Sequence, residues 1–403
     1  MSKSIRFAQH AKLRTDRAIS RVYRALSAVP ERKRAFSELL DVVRRRSAFL
    51  KSPVVVGDRV LQVDALRNLA AFCEDFARSA RTWPGSTGSV HRVLSSIARH
   101  LLARYRVPQF LSSVWWGDDS ACERARRRWF VEHGNGRRFR DLSLPMAMTR
   151  RMESLFLASP DHQTIEQAMR RAELQVLGAS SVLVDAVLAS RLGRDLSHGS
   201  FWRTVLTFLV RMSKELNPTT VGPIVDFLQA VRHERVEVLS DSGSVFLDPP
   251  RPDFSMKGRS LSSILRLVER WHESLGLVPV GHLRWKRSRH RPMVFEDRAF
   301  HADEAPIRWE LIELTNGNEL RREGMILRHC VASYAGCCGR GKSRIWSLRR
   351  RSSRGNLRSV ITIEVDPQSN SVVQARGLRN RPAAGKPLRL IQAWARREGL
   401  RMA

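Results

Sequence analysis

The chain has 403 residues, 42% of them hydrophobic, and carries 71 Lys and Arg against 39 Asp and Glu, a formal charge of +32. That length permits two or three domains, and that hydrophobic share excludes a wholly disordered chain. No run of ~18 uncharged apolar residues occurs, which argues against a membrane span, and the N-terminus MSKSIRFAQHAKLRTDRAISRVYRAL lacks the apolar core of a secretion signal. Of the 71 cations, 62 are arginine. Planar guanidinium forks suit phosphate, so nucleic acid is the partner this charge favours, DNA and RNA alike. An arginine-rich but merely solvated surface is the bland alternative. Five cysteines, an odd count without extracellular spacing, fit a reducing compartment, and the expected location is the cytoplasm.

Residues 4–28 repeat apolar positions at helical spacing and stop before Pro30. A second amphipathic helix is expected up to Leu50, then two more over 59–82 and 88–105, split by TWPGSTGS. Cys73 falls on an apolar stripe with Leu69 and Phe72, the place of a packed thiol. The stretch 108–145 interleaves Trp115, Trp116 and Trp129 with basic runs holding Arg126, Arg127, Arg128, Arg137 and Arg138. Such a pattern either stacks on bases and grips a phosphate backbone or buries the indoles and solvates the arginines. Helical signals resume at 146–158, 162–176, 179–192, 198–216 and 219–235, giving an all-α basic region over 1–240, with a subdivision near 107–145. The Pro- and Gly-rich segment 241–260 reads as a linker. A helix over Leu261–Leu275 follows, and then GHLRWKRSRHRPM, the most basic short run, with Trp285, Lys286, Arg287, Arg289 and Arg291 as a candidate phosphate strip or an exposed loop.

From Arg308 the periodicity changes to that of strands. WELIEL, RIWSLR, RSVITIEV and SVVQAR read as strands, Asn316-Gly317 as a turn, and LRLIQAWARREGL as a closing helix. NELRREG and MILRHCVASY read as helices broken at Gly324, and AGCCGRGKS as a loop. The fold class is therefore α+β: a mostly helical N-terminal region, then residues 261–403 as a small, mainly antiparallel sheet with helices. Alternation puts Ser359, Ile361, Ile363 and Val365 on one face and Val360, Thr362 and Glu364 on the other. Pairing Val365 with Ser371 sets Thr362 opposite Gln374 and Glu364 opposite Val372. A polar cluster with Arg376 then stands on one face, unless the register slips.

This same stretch carries a resemblance. Phe254-Ser-Met-Lys-Gly-Arg, the Trp271-His272 helix, REGMILRHCVASY, IWSLR, ITIEV, VVQARGLRN and IQAWARREGL, over roughly 253–400, resemble the PcfJ-like family, named for an accessory product of a conjugative plasmid. The resemblance implies a bacterial mobile-element or conjugation setting, with DNA-transfer or mobile-element proteins as partners, and leaves both the reaction and any cofactor undefined. It sets the family's patterned positions on His329, Cys330, Tyr334, Ser347, Arg349, Gln374, Arg376, Gly377 and Asn380. Together with Glu364, all of these except Gly377 are the candidate catalytic set.

What these residues do is less constrained. Helical neighbours point about 100° apart, so His329 and Cys330 cannot form a dyad, and a nucleophilic Cys330 would need a base such as His272 or His301. Zinc held by His329, Cys330, Cys337 and Cys338 fits poorly, because structural sites use C-x2–4-C knuckles. Gly336, Gly341, Lys342 and Ser343 have phosphate-loop spacing but precede a strand rather than opening a helix. What remains is a pocket where His or Glu moves protons and Arg, Gln and Asn hold a substrate. Three readings follow: a nucleic-acid binder with a polar site, an enzyme acting on a nucleotide, nucleic acid or protein side chain with the helical region as scaffold, and a non-catalytic assembly factor for DNA transfer.

Overall fold

The computed structural model describes residues 3–56, 59–240, 243–275, 283–296, 307–351 and 357–402. By contacts the chain divides into two compact units, Met1–Val176 and Leu177–Ala403. The composition break at 241–260 lies inside the second. Among the described residues no helix is long and apolar enough to cross a membrane.

The first unit is helical: Lys3–Ala25, Pro30–Arg46, Leu61–Ala70, Val90–Leu102, Ala121–Gly134, Arg150–Leu157 and Ile165–Val176. Pro30 opens the second helix at a position where its missing N–H costs nothing. Ser89, Ser120 and Thr149 cap the N-termini of their helices by accepting from backbone N–H groups three residues on. The helix expected over 59–82 stops at Ala70 and continues as 3-10 turns, with Cys73 half-buried in the first. Trp83, Trp115, Phe110, Phe130 and Phe139 are fully buried, and Trp115 meets Phe72 and Phe130 edge to face.

In the second unit, helices Ser181–Leu188, Gly199–Arg211 and α1 (Val221–Arg232) are followed by a hairpin, Val236–Ser240 with Gly243–Leu247, where a bare linker was expected. Then come α2 (Leu261–Leu275), β1 (Met293–Glu296), β2 (Arg308–Leu314), α3 (Gly317–Leu327), β3 (Arg344–Arg351), β4 (Leu357–Asp366), β5 (Ser371–Arg376), α4 (Gly385–Glu398) and β6 (Arg401–Met402). The six strands form one sheet in the order β6-β5-β4-β3-β2-β1, antiparallel except for the β6–β5 pair. This is the expected α+β class, and β1 is a strand that the basic composition of 281–293 concealed.

Two bulges set which side chains share a face. Between β3 and β4 the register slips so that Leu348 faces Ile361 but Arg349 faces Ser359, leaving Val360 as the extra residue. Ser359 thereby joins Thr362 and Glu364 instead of the apolar face assigned by simple alternation. Between β4 and β5 a second slip, at Val373, sets Thr362 opposite Arg376 and Glu364 opposite Gln374, not the expected partners. One face of the sheet is apolar: Trp346, Leu348, Ile361, Ile363 and Val365 pack against Ile391 and Trp394 of α4. The other carries Ser347, Arg349, Ser359, Thr362, Glu364, Gln374 and Arg376 beneath α3 and the chain that follows it.

That chain is not the continuous helix the periodicity suggests. Asn316 caps α3 by accepting from the Glu319 N–H rather than making a hairpin turn. The helix runs through Gly324 and ends at Leu327, where Arg328 takes a left-handed conformation (φ 51°). Gly324 is needed because a Cβ there would stand 2.9 Å from the His329 carbonyl oxygen. Val331–Tyr334 is a 3-10 turn, and Ala335–Gly339, expected as loop, is a short helix.

Candidate functional site

The centre of the polar face is Glu323, on the buried side of α3 and 1% exposed. Its carboxylate accepts from Ser359 Oγ at 2.6 Å and from Thr362 Oγ1 at 3.1 Å, and Arg349 stands 3.9 Å away. Burial raises its pKa, opposed by the hydroxyls of Ser359, Ser347 and Thr362 and by Arg349. Thr362 Oγ1 also lies 2.9 Å from His329 Nε2. A threonine hydroxyl has one proton, and here Glu323 takes it. His329 Nε2 thus shares a hydrogen bond with a hydroxyl that also meets Glu323, and the ring hydrogen-bonds its own backbone as well. Burial pushes the His329 pKa down to about 4. The result is a carboxylate–hydroxyl–imidazole relay that fixes ring orientation as a buried carboxylate does in catalytic triads. Ser347 extends it, lying 3.4 Å from Ser359 Oγ and accepting from Arg349 Nε at 3.2 Å.

The other candidate residues form a second network beside the first. Gln374 Nε2 donates to Glu364 Oε2 at 2.8 Å and to Tyr334 OH at 3.1 Å, and its Oε1 accepts from Arg376 Nε at 3.4 Å. Ser343 Oγ donates to the other Glu364 oxygen. That bond spends the serine of the phosphate-loop spacing on the sheet. Arg376 also donates to the Ala189 carbonyl. The Cys330 thiol donates to Asp226 Oδ2 of α1 at 3.1 Å. Burial and Asp226 hold that thiol well above its ordinary pKa, so it stays protonated, and burial likewise raises Asp226. His329 and Cys330 thus turn to different partners, one to the relay and one to Asp226. His272 lies across a separate cleft, and His301 lies outside the described residues.

His329, Thr362, Glu364, Gln374, Arg376 and Asn380 border a small chamber of about 30 Å³ with Asp226, Cys330 and Tyr334. That is room for a water or two, or for one small group of a substrate. Asp226, Tyr334, Gln374, Arg376 and Asn380 also line a wider cleft of about 350 Å³ with Arg191 and Ser190. Asn380 reaches both from a left-handed backbone, φ 60°. All nine candidate catalytic residues lie on this one face, seven of them in the two networks, with Cys330 bonded to Asp226 and Asn380 lining both cavities. Glu323, Asp226 and Arg191 were missed. Only Glu323 carried a sequence signal, an acid at the centre of an otherwise apolar helical stripe with Leu320 and Leu327. Among the described residues no three His, Cys, Asp or Glu side chains gather as a metal-binding group.

The candidate nucleic-acid residues divide by unit. In the first, Arg127 is 1% exposed and donates to the Val114, Gly117 and Asp118 carbonyls. Arg126 pairs with Glu123 and Glu166, Arg128 with Asp75, and Arg137 with Glu132; Arg138 is exposed. Trp115 and Trp129 are buried and Trp116 is half-buried against Phe49 and His91, which leaves no open stacking platform there. In the second unit Lys286, Arg287, Arg289 and Arg291 are exposed, while Trp285 turns inward, donating to the Leu314 carbonyl.

No curated protein and no solved structure matches the chain. The family model described as PcfJ-like protein matches residues 310–389. That span covers β2 to the start of α4 and contains Glu323 and every candidate catalytic residue, whereas the Phe254 and Trp271-His272 motifs fall outside it. The C-terminal segment of this chain, residues 310–389, is a PcfJ-like domain.

Proposed function

We propose that the protein binds nucleic acid through the cationic strip of its second unit and that His329 performs proton transfer on a nucleic-acid or nucleotide substrate held at the polar face. The observation that carries this reading is the buried Glu323–Thr362–His329 relay, which terminates at a chamber rather than in packed core. Burying a carboxylate is costly, and a sheet packed for stability alone is better served by apolar side chains there. Burial keeps the His329 ring neutral at neutral pH, so the ring accepts a proton from a bound group and returns it. Lys286, Arg287, Arg289 and Arg291, exposed along a segment without helix or strand, supply phosphate contacts. The family resemblance favours mobile elements or DNA transfer as the setting.

The test has two parts. Anisotropy with labelled single- and double-stranded DNA and RNA between about 50 and 200 mM salt should show affinity falling by orders of magnitude. Mass spectrometry of the same nucleic acids and of free nucleotides after incubation should show a product that His329→Asn fails to form. Salt-independent binding removes the first half of the reading, and unchanged turnover by His329→Asn removes the second. A non-catalytic role in assembling a DNA-transfer complex is favoured by the small chamber, and salt-dependent binding without any product supports that reading instead.

A further inference from the structure

On its other edge His329 also borders a larger cleft of about 660 Å³, between the start of α1, one side of α2 and the end of α3. Its two sides differ in chemistry. Arg321, Arg328 and Arg381 line one side, and among the described residues none of the three is paired with a carboxylate. Arg321 is half-buried, and Arg328 owes its position to the left-handed residue that ends α3. On the opposite side, α2 presents Glu269, Glu273 and His272. The Nε2 of His272 is buried without a hydrogen-bond partner. Leu265, Val268, Met325, Pro223 and Ala332 make the apolar surface between, and Met325 is 59% exposed on it.

We infer that this cleft is a nucleotide site. The three unpaired guanidiniums take the phosphate, the apolar strip of Leu265, Val268 and Met325 takes the face of a planar base, and the Glu269 and Glu273 carboxylates take its ring and amino hydrogens. Inorganic phosphate would leave the apolar strip and the Glu269 and Glu273 carboxylates unmet, and a nucleoside would leave the arginines unmet. The volume suits one nucleotide rather than a duplex, within the range usual for small-molecule sites. The nucleotide is either free or the phosphorylated end of a strand, since both present the same groups. Binding here needs nothing from the proton-transfer reading. Only the expectation that the bound nucleotide is also the substrate rests on it, because His329 forms part of this wall.

Isothermal titration of the full chain tests the site, with nucleoside 5′-monophosphates, the matching nucleosides, inorganic phosphate, and trinucleotides with and without a 5′-phosphate. At least one monophosphate or phosphorylated trinucleotide should bind about tenfold more tightly than either the nucleoside or phosphate alone. Binding of the phosphorylated trinucleotide only identifies a strand end, and binding of both identifies a general nucleotide site. Arg328→Gly keeps the left-handed turn while removing the guanidinium, and Arg381→Ala alters an exposed side chain. Each should weaken binding by about tenfold with the fold intact by circular dichroism. Equal affinity for inorganic phosphate, or wild-type affinity in the double variant, overturns the assignment, as does absence of binding by every probe. His329→Asn separates the two proposals: retained nucleotide binding with unchanged turnover sinks the catalytic reading and leaves this site standing.

Discussion

The arginines singled out in the two units keep different company. In Met1–Val176 several guanidiniums are structural: Arg127 ties three carbonyls, Arg126 clasps Glu123 and Glu166, and Arg170 is fully buried against Glu173 at 2.6 Å. In Leu177–Ala403, Arg321, Arg328 and Arg381 around a cleft and Arg287 on the strip have no carboxylate partner among the described residues. A charge of +32 is therefore a poor guide to an interface until the paired cations are set aside. Interleaved Arg and Trp in 108–145 look like a nucleic-acid grip, yet in the folded unit Trp115, Trp129 and Arg127 are buried and Arg126, Arg128 and Arg137 are paired with carboxylates.

The sharpest way to break this contrast is at the buried pair. Arg170→Leu leaves Glu173 as an unpaired buried charge, and should lower the stability of the first unit by about 3–5 kcal/mol in urea denaturation, without changing the salt dependence of nucleic-acid binding at low temperature. A loss below 1 kcal/mol would mean that this arginine is not structural.

In the second unit the largest effect should be that of pH on His329. Its folded pKa of about 4 lies below the unfolded value of 6.5, so the folded state binds the proton less well. The stability this contributes is fully present above pH 6.5 and is lost as pH falls through 4, about 3 kcal/mol in all. Urea midpoints at pH 7, 5.5 and 4 should fall steeply in the wild type and less so in His329→Asn. Glu323 runs the other way: its raised pKa makes stability decline as pH rises above the ordinary carboxyl range, and Glu323→Gln should flatten that limb.

Gly324→Ala is a smaller probe. Helix propensity favours Ala by about 1 kcal/mol, but the added Cβ would stand 2.9 Å from the His329 carbonyl, and relieving such overpacking costs about 1–3 kcal/mol. The net should be a loss of up to about 2 kcal/mol with a displaced His329, read as reduced turnover. Smallest in stability are Lys286→Ala, Arg287→Ala and Arg291→Ala, each within about 0.5 kcal/mol of wild type. They should each lower the slope of log affinity against log salt by about 0.9 if they meet one phosphate. The same slope after changing Arg128 or Arg137 should stay put.

Much of the polar face is legible from alternation: Thr362, Glu364, Gln374 and Arg376 share it as the strand pattern requires. Ser359 was not, because a bulge is a backbone event with no residue signature as strong as a Gly or Pro, and it reverses parity from Val360 outward. Asp226 was not legible either, since it is brought to the site by helix packing rather than by strand periodicity, and Glu323 showed only as an acid on the apolar stripe of its helix. The end of α3 was misread for a related reason: Gly324 looks like a breaker, yet it serves a close backbone approach, and the break comes four residues later at a left-handed Arg328.

The bulge at Val360 also sets where this strand tolerates a change of length. Deleting Val360 leaves Ser359, Ile361 and Thr362 in regular alternation, each still on its present side of the sheet. Deleting Ile363 instead makes Thr362 and Glu364 neighbours and turns one of them into the Trp346–Trp394 core. Two losses of a single residue, three positions apart, should thus have opposite fates, and length variation in this strand belongs at Val360.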